Sequence, residues 1–511
     1  MHGTNMRLKI ILFSLLVVFA FIFSMVSIPA HAQPAHQWTS DRKVPGYLDD
    51  TFTPFLVADQ NRTVHAFASQ WINDGSRRWA VVYRKWSLSG GWTRPVDVLL
   101  ASTGSATFLS AFLDVSGTMH VIFAQGENQK SDIYYSYARV ETADSANAWS
   151  TPALIGPGLS GVNSAAMSGD KQGNLIVIYS GNLDGSGVYA VRSSDAGRDW
   201  SDPIQLFTPK TTDLTPYSLR LFSGRENQIQ AAWNVVSSLG IDEELYFSSY
   251  DIASGNWLKP IELESRVEYP DYFGPSFPSI VDNGSEIVIM YNGGNPFTGR
   301  PVAYGRPVQR VTISTNGGQS WSESFNPFPF HVGRSGEHSL ALDGTGRPHA
   351  LFVQRIETEV DGKYSIVGGI WHSIFENGSW TNPDRFVTTY SPHDVRSIMV
   401  QGNVLLVVWR EDPGEGEHGV WYSYNVLDVP ELPIVPFAAL DSPVTLNPTQ
   451  AVLINTPVVP TESPTPVKLT DSQRQNLSSG SNPANPIIIG LIPVVIVLAG
   501  VLLMYKYFRV R

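Results

Sequence analysis

The residues best suited to chemistry are three arginines, four carboxylates, two tyrosines and a histidine in a few short stretches. Arg220 lies in "YSLRL", and Glu268, Tyr269, Asp271 and Tyr272 lie in "ESRVEYPDYFGPSFP". Arg334, Glu337 and His338 lie in "HVGRSGEHS", and Asp394 and Arg396 in "HDVRSI". A guanidinium fork grips a carboxylate through two parallel hydrogen bonds. Aromatic faces pack on the apolar face of a sugar, and carboxylates accept its hydroxyl hydrogens. The set therefore reads as a site suited to a sugar, in which the arginines could form an anion site. The plainer alternative is a solvated rim in which the arginines only pair with nearby carboxylates. His338 and His393 have no His/Asp ligand spacing around them, so neither a metal nor a cofactor is expected.

Such residues need elements to hold them. Between 38 and 429 the chain reads as short strands punctuated by Gly and Pro, without long helical periodicity. One unit recurs: a polar turn, often D-x-x-G, followed by an apolar strand that ends in an aromatic. It appears as "VADQNRTVHAF" (57–67), "LDVSGTMHVIF" (113–123), "SGDKQGNLIVIY" (168–179) and "FSGRENQIQAAW" (222–233). It continues as "VDNGSEIVIMY" (281–291), "LDGTGRPHALF" (342–352) and "VQGNVLLVVW" (400–409). Each unit then adds a second pair of strands, and the last strand opens with Trp, as in "WSDPIQL" at 200. A unit is thus four strands, A to D. The seventh lacks its Trp strand, while "WTSDRKVPG" at 38–46 stands alone at the other end. Joining the two would close a ring and remove exposed sheet edges. The expectation is an all-β propeller of seven four-stranded antiparallel blades, closed by an N-terminal outer strand. Long D–A loops (264–278, 327–339) and B–C loops (293–307, 354–367) would gather the chemical residues at one mouth of the channel.

The turn "SSDAGRDW" (193–200) recurs as "STNGGQSW" (314–321). Ser193, Asp195, Gly197 and Trp200, and Ser314, Asn316, Gly318 and Trp321, follow the S-x-D-x-G-x-x-W pattern. This resembles the Asp-box, or BNR, repeat of the sialidase-like propellers, over roughly 38–429. The resemblance implies that these residues are structural, on the face away from the site. It also implies an arginine in an F/Y-R-I-P motif opening the first A strand, within a triad that holds a sialoside carboxylate. Here the stretch is "TFTP" (51–54), and Phe52 takes the arginine's place. Two functions stand: a propeller that binds a glycan or an extracellular protein, or an exo-acting glycoside hydrolase of sialidase-like type with altered specificity. A purely structural envelope module is a third.

The 511 residues carry a formal charge of −11 and no cysteine. An acidic chain lacks the basic face that nucleic acid requires, and disulfides and thiolate sites are excluded. Residues 1–32 read as a signal peptide, with a 10–28 apolar run and "AHA" before Gln33. Residues 33–429 would be the propeller, 430–485 a Pro/Thr/Ser-rich stalk, and 486–506 a transmembrane helix. Residues 507–511 would form a cytoplasmic tail, placed there by Lys506, Arg509 and Arg511. The expected setting is a single-pass protein of a bacterial cell membrane, with the propeller outside.

Overall fold

The computed structural model describes residues 37–438 except 73–77, 100–104, 128–129, 160–164, 225–226, 267–272, 295–306, 330, 332, 361–362, 390–391 and 412–417. The expected signal peptide, most of the stalk, the span and the tail fall outside the described residues. Among the described residues no helix is long and apolar enough to cross a membrane.

The described residues fold as antiparallel meanders in six hydrogen-bonded sheets. The only helix among them is the 3₁₀ turn Ala146–Ala148. One sheet has eight strands, because two meanders touch at a single residue pair, Leu159 opposite Gly181. Alternating apolar residues bury each sheet's faces against its neighbours. Phe67 and Tyr83 pack on Phe108 and Phe123 of the next meander, and Ala232 and Phe247 pack on Ile289 and Tyr291. The pattern also joins the two ends of the chain, since Leu56, Ala66 and Trp86 pack on Leu406 and Val408. This is a β-propeller.

The last sheet contains both ends of the propeller. Arg42 and Lys43 pair with Tyr422 and Trp421 as its outer strand. The Thr39 N–H donates to the Tyr424 carbonyl at 3.0 Å, and the Val44 N–H to the Val420 carbonyl at 2.8 Å. Trp38 stacks on Phe386 of the preceding sheet, with ring centroids 3.8 Å apart.

The eight-residue turns explain their own composition. Ser193 Oγ accepts the Gly197 N–H at 2.8 Å and donates to Asp195, whose Oδ1 accepts the Arg198 and Asp199 N–H groups. Ser314, Asn316, Gly318 and Ser320 repeat this scheme. Gly197 and Gly318 have φ of +85° and +86°, and a Cβ at either would strike Tyr135 or Phe247 of the preceding meander. Trp200 and Trp321 then pack edge-on against those same two rings. Glycine is required here twice over, by φ and by contact.

Three segments differ from the sequence reading. Residues 354–367, expected as a long B–C loop, are mostly strand, because Pro348–Val360 and Lys363–Glu376 run on as one hairpin down to Val360 opposite Lys363. Ladder hydrogen bonds need only backbone, so the hairpin carries on through its polar residues. Similarly, Gly333–Leu342 is a strand and takes in Arg334, Glu337 and His338. Residues 430–438, expected to begin the stalk, lie along the A–B turns. The Leu432 N–H donates to the Gln401 carbonyl at 2.7 Å and the Ala438 N–H to that of Val115 at 2.8 Å. Glu431 pairs with Arg62 on the way.

Candidate functional site

A cavity of about 520 Å³ runs into the centre of the ring. Its wall comes from the first strand of each meander: Phe55–Ala58, Ser105–Leu113, Ala165–Gly169, Leu214–Phe222, Ser276–Asp282, Gly333–Leu342 and Pro392–Val400. Most of that wall is small or apolar, as the crowded centre demands. The polar groups concentrate on one arc: Tyr217, Arg220, Glu337, His338, Asp394 and Arg396.

Local backbone strain aims these groups. Pairing slips between Tyr217 and Arg220, between Ser276 and Ser279, and between His393 and Arg396. Inside each slip one non-glycine residue is left-handed: Ser218 (φ 50°), Phe277 (φ 51°) and Asp394 (φ 50°). Such bulges re-aim side chains, and a left-handed non-glycine costs roughly 1–2 kcal/mol. Three equivalent sites around one channel carry this cost, as expected where function sets the geometry.

Arg220 is the central feature. It stands on the cavity wall with its side chain exposed to the water space of the channel. Its one described hydrogen bond goes to the Leu219 carbonyl at 3.0 Å. Among the described residues no carboxylate lies within ion-pair distance of it. Burial, then the like charge of Arg396, depress its pKa to about 10, against the pull of Asp394. Arg396 reaches Asp394 only at 3.4–3.5 Å, a poor hydrogen-bond geometry. Glu337 instead accepts the backbone N–H of Asp394 at 3.2 Å. His338 is held neutral: burial and Arg220 outweigh the carbonyls of Met290 and Phe277, and its pKa falls to about 4. One ring nitrogen faces the Met290 carbonyl at 2.8 Å, and the other, Nδ1, is buried without a hydrogen bond among the described residues.

Of the ten residues expected here, the structure brings Arg220, Glu337, His338, Asp394 and Arg396 together. Arg334 is placed by its backbone alone, opposite Arg355. Glu268, Tyr269, Asp271 and Tyr272 lie outside the described residues.

Sequence reading missed two features of the mouth. Asp242, beside the channel-wall partner Asn234, accepts its amide at 2.6 Å; burial, with help from Glu243, raises the carboxyl's pKa to about 7. An acidic residue at a B–C turn carries no sequence signal that it will be buried. The second is Phe52, read only as a missing arginine. It stacks on Trp79 with centroids 4.6 Å apart, and Arg410 lies over its ring. Among the described residues no cluster of His, Asp and Glu could hold a metal.

No family model and no curated protein matches the sequence. Solved structures do. An ulvan lyase, a polysaccharide lyase bound to a glucuronate–rhamnose-3-sulfate ligand, is 12% identical with a TM-score of 0.50, over 76% of this chain and 96% of its own. A Hadza microbial sialidase is 12% identical over 68% and 74% (TM-score 0.37), and the leech intramolecular trans-sialidase 11% identical over 73% and 67% (TM-score 0.38). Identities this low speak to architecture alone, that of a β-propeller.

Proposed function

We propose that the channel mouth binds an acidic saccharide, with Arg220 and Arg396 taking its carboxylate or sulfate. One observation carries this reading. Arg220 is an exposed cation of the channel wall without a carboxylate partner among the described residues, facing a cavity large enough for a sugar. An anion entering the cavity meets this cation and Arg396 together, and charge-assisted hydrogen bonds contribute about 1.5–3 kcal/mol each. Saccharide chemistry in the ulvan lyase and the sialidases supports the choice of ligand.

The fuller architecture belongs to the same proposal. Dividing the eight-stranded sheet at its single shared pair leaves seven meanders, which supports a seven-bladed ring. The turns at Ser193 and Ser314 are then its Asp-boxes. A signal peptide over 1–32 and a span over 486–506 would hold the propeller outside a cell membrane as a single-pass protein. Proteinase treatment of intact cells that removes residues 33–438 and spares the tail would support that placement.

Calorimetric titration of the full chain with galacturonic acid and with glucose tests the ligand reading. Uronate binding that weakens with salt and drops at least about tenfold in Arg220→Ala is expected. Equal affinity for both sugars would sink the reading. A second reading, an exo-acting hydrolase of altered specificity, draws on Asp242, a carboxyl still protonated near neutrality, as general acids are. Chromogenic glycosides test it. Sialosides should remain intact, because Phe52 stands where the family's arginine would.

A further inference from the structure

We infer that the seam between the first and last meanders carries a second saccharide subsite, in which a sugar ring packs on the aromatic ladder of Phe52, Trp79 and Trp71. This inference rests on the reading of the channel as an acidic-saccharide site, and it makes the ligand a chain rather than a single sugar.

The ladder is built and held. Phe52 stacks on Trp79 at 4.6 Å and 22°, and Trp71 meets Trp79 edge-on at 5.4 Å. Trp71 and Trp79 are register partners on one hairpin, Val64–Ile72 with Arg78–Ser87. The Phe52 N–H donates to the Ser69 carbonyl at 2.9 Å, and the Trp79 N–H to Ser105 Oγ at 3.2 Å. Arg410, from the last meander, places its guanidinium carbon 5.6 Å over the Phe52 ring, and its Nη2 meets His418 at 3.2 Å. Its Nε is buried with no hydrogen-bond partner among the described residues.

Phe52 is the open rung of this ladder. Phe67, Trp86, Trp233 and Trp409 are at most 2% exposed, whereas Phe52 is 38% exposed; Trp71 and Trp79 are half-buried, as the packing rings Trp38, Trp200 and Trp321 are. Solvent-facing aromatics beside a guanidinium suit a pyranose, whose C–H face packs on the ring while its hydroxyls meet the cation.

The ladder also leads into the channel. Arg410 is the register partner of His393, the residue before Asp394, and Phe52 lies three residues ahead of Phe55 in the cavity wall. A chain with its charged ring at Arg220 and Arg396 would lay its next rings across Phe52 and Trp79.

The test titrates the full chain, in a detergent without a sugar headgroup, with galacturonic acid, tetragalacturonate and xylotetraose. Heat and tryptophan emission are followed together. Wild type should bind tetragalacturonate roughly tenfold or more tighter than the monomer, since each ring stacked adds roughly two- to tenfold. Trp79→Ala should abolish that gain and the emission change while leaving monomer affinity intact, and Arg220→Ala should weaken both uronates. A gain that survives in Trp79→Ala, or a monomer affinity that falls with it, overturns the subsite. If Trp79→Ala melts early, Phe52→Leu, which keeps the apolar volume and removes the ring face, is read the same way. Trp79-dependent binding of xylotetraose without uronate binding would keep the subsite and reject the acidic channel. Binding of no probe would reject both.

Discussion

The two ends of the strands use the same residue type in opposite ways. At the A–B turns each aspartate is tied in. Asp343 accepts from the Thr345 and Arg347 N–H groups, from the Thr345 hydroxyl and from the Arg347 guanidinium, with His349 at 3.4 Å. Asp114 serves Ser116, Thr118 and His120, and Asp59 serves Asn61, Thr63 and His65. Burial would raise the Asp114 and Asp343 carboxyls, yet the donors win, and both are held below the usual range. At the mouth Asp394 is left-handed with only long contacts to Arg396, and Asp242 is pushed up. The turn end is finished by its own hydrogen bonds, whereas at the mouth the Asp394–Arg396 pair is long and Arg220 has no carboxylate within ion-pair distance among the described residues.

The largest effect should come from opening the ring. Deleting residues 38–46 removes the outer strand and the Trp38–Phe386 stack, and the loss should be on the order of 5 kcal/mol. A melting temperature within about 2 °C of wild type would show that the closure is dispensable. Next, Asp343→Ala leaves His349 and several N–H groups unsatisfied and should cost about 3 kcal/mol. The native carboxyl's pKa lies below the unfolded value of about 3.9, so this stabilisation is complete above that pH and is lost as pH falls through and below it. Denaturant midpoints from pH 7 to pH 3 should fall for wild type and stay flatter for the variant. Parallel curves would break the comparison on the turn side.

How much of this was legible follows from where each signal resides. The repeated turns were legible because Ser193, Asp195 and Gly197 act locally, on their own backbone. The lone Trp38 strand could be matched to the Trp-less last unit by pattern. The bulges at Ser218, Phe277 and Asp394 were hidden, since no glycine marks them and tertiary crowding imposes the conformation. Arg220, Glu337, His338, Asp394 and Arg396 line the cavity from strands rather than from the loops expected to carry most of them, because the first strand of each meander forms the wall. Asp242 and the ladder at Phe52 depend on what lies opposite in space, which spacing along the chain does not encode.

The strained mouth can be tested directly. Asp394→Gly relieves a left-handed aspartate and gives up only long contacts, so it should stabilise by about 1 kcal/mol. The same change at Asp343 should destabilise. Loss of stability in Asp394→Gly would mean that Asp394 is a structural cap after all, and the contrast between the two ends would fail.

The smallest effect sharpens the comparison most. Asp242 ionises near pH 3.9 in the unfolded chain but near pH 7 in the folded one. Between these values the native state keeps a proton that the unfolded state has released. Stability therefore falls as pH rises from about 4 to about 7 and is flat above, the reverse of the Asp343 case. Asp242→Asn removes the titration and still accepts from the Asn234 amide. The variant should match wild type at pH 4 and exceed it at pH 8 by about 1 kcal/mol, a figure reduced for the solvent that still reaches the group. Midpoints at pH 4, 6 and 8 measure this. A difference that does not change with pH would show that Asp242 is ionised like any surface carboxylate. It would also remove the protonated carboxyl on which the hydrolase reading depends.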